Sequence, residues 1–266
     1  SLYHEIAIDI LTMFIDEDDI PKDQISKILT EGISFPVSVV HYSSSGTVYR
    51  STDSEYQPNN ILWNYDDRHL MELFNGPTFT FKDLGMQFLG RVMGYLLSVQ
   101  DKPEKITIVV ATSGDTGSAA IHAVENHPLV DLYVLYPGNG RISELQERQM
   151  ATNTSDNIYC IRFDGTSDDA DVVVAKLFQS PELKHHRLTT LNSVNIGRIL
   201  MQIVHFVFGY VHQCANDIIS NLDNNQPLPF LRYCIPTGGL GNGSSCFIAK
   251  KMGVPISDII LAVNEN

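Results

Sequence analysis

Residues 105–126 read Lys105-Ile106-Thr107-Ile108-Val109-Val110-Ala111, then Thr112-Ser113-Gly114-Asp115-Thr116-Gly117-Ser118, then Ala119-Ala120-Ile121-His122-Ala123-Val124-Glu125-Asn126. The first part is a short apolar, β-branched run, the pattern of a strand buried on both faces. The second holds two glycines, four hydroxyls and a carboxylate, and reads as a loop. The third predicts a helix. Strand, loop and helix in this order make one step of a parallel α/β layer.

The step repeats toward the C-terminus. Strands are expected at 131–136, 158–163, 231–236 and 258–264, with helices near 142–150, 169–178, 196–213 and 244–253. The helix at 196–213 is apolar nearly all round and is expected to be buried. Toward the N-terminus, a strand at 71–74 precedes a helix over 83–99 with Leu84, Phe88, Leu89, Val92 and Leu96 on one face. Residues 3–14 have helical spacing, and Pro21 opens a short helix that Gly32 ends. Residues 37–64 are polar and turn-rich, a long loop or a hairpin insertion. The alternation implies parallel sheets with crossover helices. Three parts are expected: 1–103 with the N-terminal helices and polar loop, a small α/β domain at 104–192, and the start of a larger α/β domain at 193–266. The last strand has no helix after it, so the rhythm is expected to continue beyond this piece.

Composition narrows the function. Apolar residues make up 43% and charged residues 18%, as in folded globular proteins. The net charge is −13 with no basic stripe, so nucleic acid is not an expected partner. No apolar run reaches the ~18–20 residues of a membrane span, and Ser1-Leu2-Tyr3-His4 does not open a secretory leader. Cys160, Cys214, Cys234 and Cys246 lie far apart with no CxxC pair, which implies reduced thiols, a cytoplasmic setting and no metal.

Three loops could hold chemistry. Gly76-Pro77-Thr78-Phe79-Thr80-Phe81-Lys82-Asp83 places a lysine at a helix start, where the macrodipole disfavours a cation. Its apolar neighbours Phe81 and Leu84 favour a reachable free amine, which suits a Schiff base. The plain alternative is a surface lysine. Thr112–Ser118 offers N–H groups and hydroxyls at a helix start to a carboxylate or phosphate; the alternative is a capped turn. Pro236-Thr237-Gly238-Gly239-Leu240-Gly241-Asn242-Gly243-Ser244 follows a strand and precedes a helix, where phosphates bind. It lacks the Gly-Lys-Ser/Thr of a P-loop. A dinucleotide site with Glu265 as ribose acid is a rival, though the glycine spacing is not GxGxxG.

In order and wording these stretches resemble the threonine synthase family. GPTFTFKD, ATSGDTGSAAI, LYPGNGRISELQERQM, FDGTSDDADVVVAKLF, LNSVNIGRILMQIVHFVF and PTGGLGN…AKKMGVPI…AVNEN carry the likeness over about 70–266. The resemblance implies pyridoxal 5'-phosphate (PLP) fold type II, two parallel-sheet α/β domains with the cofactor between them, here incomplete at the C-terminus. It implies Lys82 as the cofactor-bearing catalytic lysine. Gly238, Gly239, Leu240, Gly241 and Asn242 match the phosphate cradle, with Asp115 near the ring hydroxyl. Ser113, Gly114 and Thr116 match the loop facing the substrate carboxylate, and Asn192, Ser193, Asn195 and Arg198 a motif near the substrate phosphate. The implied activity is conversion of O-phosphohomoserine, a small phosphorylated amino acid, to threonine and phosphate in threonine biosynthesis. The cradle departs from the family's usual Gly-Asn-Phe-Gly-Asp at the place where vertebrate threonine-synthase-like proteins are also altered. Two alternatives stay open: a phospholyase giving 2-oxobutyrate, ammonia and phosphate, and a non-catalytic homologue.

Overall fold

The computed structural model describes residues 1–42, 48–50 and 68–263. Two short helices come first, α1 (Leu2–Leu11) and α2 (Lys22–Gly32). Ser1 caps α1 through its side chain, and Pro21 stands at the N-cap of α2. Helix α1 stops three residues before the expected end, leaving Met13 and Phe14 exposed.

Of the polar stretch 37–64, the described part forms a hairpin; the rest lies outside the described residues. Strands β1 (Ser38–Tyr42), β2 (Val48–Arg50) and β3 (Arg68–Glu72) make an antiparallel sheet in the order β2-β1-β3. The strand expected at 71–74 therefore lies earlier, at 68–72, and belongs to this sheet rather than to the parallel layer.

Helix α3 (Lys82–Ser98) then leads to β4 (Ile106–Ala111), α4 (Thr116–Val124), β5 (Val130–Pro137), α5 (Glu144–Ala151), β6 (Ile158–Phe163) and α6 (Ser167–Gln179). A 3-10 turn, Pro181–His186, precedes the two-residue β7 (Leu188–Thr189). The four strands form a parallel sheet in the order β6-β5-β4-β7. Its centre is dry: Ile108, Val110, Leu132 and Val134 have no exposed surface. On α3 the buried face includes Leu84, Phe88 and Leu89 as expected, but it ends on Leu97, and Leu96 is exposed. A capping box between Thr166 and Asp169 starts α6.

Helix α7 (Ile196–Asp223) runs ten residues past its expected end. The apolar part is buried through Tyr210 and Cys214, and the extension beyond Cys214 is largely exposed, its Ile219 and Leu222 included. It packs against α1, α3 and the last helix. Strands β8 (Leu231–Pro236) and β9 (Ile256–Ala262) pair in parallel around α8 (Gly241–Lys251). Helix α8 begins three residues before its expected start, so Gly241, Asn242 and Gly243 form its first turn. Glu265, the residue weighed as a ribose acid, lies outside the described residues.

Candidate active site

The three loops lie at the carboxyl ends of parallel strands or at helix N-termini, where open α/β sheets bind ligands. The first loop is folded on Asp83. This wholly buried carboxylate accepts from the Thr78 backbone N–H at 2.9 Å and from Thr78 Oγ1 at 2.6 Å. The closure leaves Phe79 at φ 58 and largely exposed. It also sets Lys82 as the first residue of α3.

Lys82 Nζ lies 3.0 Å from Asp115 Oδ2 and 4.6 Å from the centre of the Phe81 ring. The apolar neighbour expected from the sequence is present, but the amine is held by a carboxylate as well. Burial pushes Asp115 upward, yet Lys82, Gln146 and Thr80 outweigh it and hold the carboxylate below its ordinary value. Gln146 Nε2 donates to Oδ1 at 2.6 Å, and Thr80 Oγ1 donates to Oδ2 at 3.3 Å. Neither Gln146 nor Thr80 was singled out from the sequence. Ser143-x-x-Gln146 has the spacing of a capping box, a signal that would mark Gln146 as a cap residue but not its contact with Asp115.

The rest of the second loop is tied to itself. Thr112 Oγ1 bonds both the N–H and the carbonyl of Gly114 at 3.0 Å, and Ser118 Oγ donates to the Asp115 carbonyl. Ser113 is exposed, and Gly114 and Thr116 flank Asp115 in the chain.

In the third loop the left-handed residue is Leu240, φ 59, rather than one of its glycines. Gly238 and Gly239 are exposed. A Cβ on Gly238 would meet nothing within 4 Å, whereas one on Gly239 would come within 3.3 Å of Ser193 Oγ. Helix α8 starts immediately after, and its first N–H groups lack intrahelical acceptors. Exposed glycine backbone, a hydroxyl and a helix N-terminus together suit an anionic phosphate.

Helix α7 connects the two halves of the site. Arg198 packs against Gly85, within one turn of Lys82, and Gln202 lies against Gly241. Arg198 is buried, its Nη1 donates to the Leu191 carbonyl at 2.9 Å, and its Nε has no partner. Burial lowers its pKa to about 10, so it remains a cation at neutral pH. Asn192 and Asn195 serve the backbone: Asn192 Oδ1 accepts from the Ala111 N–H, and Asn195 caps α7 through Gly197 N while donating to the Thr190 carbonyl. Asn242 Oδ1 meets buried His205 Nε2 at 2.9 Å, an interaction not expected from the sequence. Lys82 makes no hydrogen bond or ion pair with the glycine loop among the described residues.

Comparison with known proteins places the chain in a family. The Schizosaccharomyces pombe threonine synthase is 32% identical over 271 residues, which cover 99% of this chain and 48% of that protein. The chain is a threonine synthase family homologue. Human threonine synthase-like 2 is 33% identical over 267 residues, 99% of this chain and 49% of its own length. The crystal structure of PLP-bound threonine synthase from Brucella melitensis superposes with a TM-score of 0.71 at 31% identity, over 98% of this chain and 49% of that one. No family model matches the chain. This threonine synthase homologue thus has the α/β architecture of PLP fold type II and spans about half the length of the relatives it matches.

Proposed function

We propose that this chain carries the lysine and the phosphate cradle of a PLP-dependent lyase that converts O-phosphohomoserine to threonine and phosphate. The observation that carries the reading is the 3.0 Å Lys82–Asp115 pair at the N-termini of α3 and α4. Its support is the exposed glycine backbone at the start of α8 and the PLP-bound relative of the same fold.

The chemistry supplied by bound PLP is an electron sink for charge left on a substrate carbon. Gly238, Gly239, Leu240, Gly241 and Asn242 would hold its phosphate through backbone N–H groups and the helix N-terminus. Lys82 Nζ, once freed, takes and returns protons at the substrate Cα and Cβ, and Asp115 holds that amine when it is charged. Ser113, Gly114 and Thr116 bind the substrate carboxylate. Arg198 stabilises the departing phosphate dianion from the buried side of α7, with Ser193 beside it. Asn192 and Asn195 act by fixing the backbone that presents Ser193 and Arg198.

A second reading, release of 2-oxobutyrate, ammonia and phosphate, is favoured by one feature. Asn242 stands where the family usually has Asp, and its side-chain oxygen faces His205. The test is to incubate the full-length protein with O-phosphohomoserine and identify the products. Threonine with phosphate supports the first reading, 2-oxobutyrate with ammonia and phosphate the second, and absence of phosphate release overturns both.

A further inference from the structure

We propose that Gln146, oriented by Ser143, is a positioning residue that keeps the Asp115 carboxylate fixed opposite Lys82 when the lysine amine leaves it. The inference rests on Lys82 being the cofactor lysine. A lysine that must condense with an aldehyde has to give up its proton and turn away from its carboxylate. Asp115 would then lose the one charged group that faces it among the described residues. The two donors that stay are neutral: Gln146 Nε2 at 2.6 Å on Oδ1 and Thr80 Oγ1 at 3.3 Å on Oδ2. Gln146 is the shorter contact, and it approaches from α5 rather than from the lysine's own helix.

The orientation of the Gln146 amide is itself determined. Ser143 Oγ donates to Gln146 Oε1 at 2.9 Å, which leaves Nε2 to face Asp115. The same Ser143 oxygen accepts from the Gln146 backbone N–H at 3.2 Å as the N-cap of α5. In a capping box the Gln side chain would turn back to the N-cap backbone. Here it is diverted across to Asp115, so the cap of one helix sets a group at the start of another. A neutral donor suits this place, because it supports the carboxylate without competing for a proton.

The experiment follows the Asp115 carboxyl by 13C NMR, in cofactor-free full-length protein with labelled aspartate, the resonance being assigned by Asp115→Asn. Gln146→Met keeps the helix cap and removes the donor. It is expected to raise the Asp115 titration midpoint by about one pH unit, the scale of a lost hydrogen bond to a carboxylate. Ser143→Ala should move it in the same direction and Ser143→Thr, which keeps the hydroxyl, should restore it. If Gln146→Met and Ser143→Ala leave the midpoint unchanged while altering only thermal stability, the residues are merely a helix cap and the proposal is overturned. The titration needs no cofactor, so its failure is distinct from failure of Lys82 to carry PLP, which peptide mapping reads separately.

Discussion

His205, wholly buried in α7, reaches across to Asn242 in the first turn of α8, with Nε2 2.9 Å from Oδ1. Burial pushes the ring's pKa down to about 4, and the Asn242 hydrogen bond offsets this only in part. The ring is therefore neutral at pH 7, and Nε2–H donates to the Asn242 oxygen. That leaves the Asn242 amide nitrogen free of His205, beside the proposed phosphate cradle.

This arrangement gives a signed pH dependence. Below about 6.5 the unfolded chain binds a proton that the folded ring refuses until about pH 4. Stability is present in full above pH 6.5, falls as pH drops through that window, and levels off below it. At about 1.4 kcal/mol per unit the loss assigned to His205 is roughly 3 kcal/mol. Urea denaturation of wild type and His205→Gln between pH 4 and 7.5 checks it. His127 and His212 are also pushed down by burial, so the difference between the two proteins, rather than the wild-type slope, is the measure.

Gly90 lies where α3 crosses α4. A Cβ there would run into the Ala123 carbonyl oxygen, a backbone atom that cannot move aside. Gly90→Ala should cost about 1–3 kcal/mol by overpacking. It should also loosen the Lys82–Asp115 pair, since α3 and α4 carry the two partners. Denaturant midpoints and the Asp115 titration read these two effects.

Leu240 pays for its left-handed backbone with strain that a glycine would avoid. The residue is 51% exposed, so little packing is lost on removal. Leu240→Gly should leave stability unchanged or raise it by up to about 1 kcal/mol, as measured by thermal or urea unfolding.

Gly239→Asp tests the cradle. A carboxylate at this helix start would repel a phosphate and crowd Ser193. PLP affinity should fall by at least about tenfold, with a smaller loss for Gly239→Ala. Affinity unaltered in both would place the phosphate elsewhere.

The strands β4 and β5 were readable because short β-branched apolar runs bounded by turn residues suit a buried strand. The pattern weakened where packing, not local chemistry, decides. Leu96 and Leu97 are equally apolar, and the packing of α2, α4 and α7 around α3 leaves the first exposed and the second in the core. The start of α8 was hidden because Gly241-Asn242-Gly243 reads as a loop, yet these residues form its first turn. The candidate residues Lys82 and Asp115 were each legible in their motifs, but their pairing was not, since 33 residues separate them. His205 was masked by the apolar helix around it. Gln146 was masked by the cap pattern that its side chain departs from.

The most direct measurement is borohydride reduction of the full-length protein with PLP, followed by peptide mapping. The expected result is a pyridoxyl group on Lys82 in the peptide containing Gly76–Asp83, lost in Lys82→Ala along with the visible absorbance of the cofactor. A pyridoxyl group on another lysine, or none on any peptide of a folded protein, would contradict the assignment of Lys82 as the cofactor lysine.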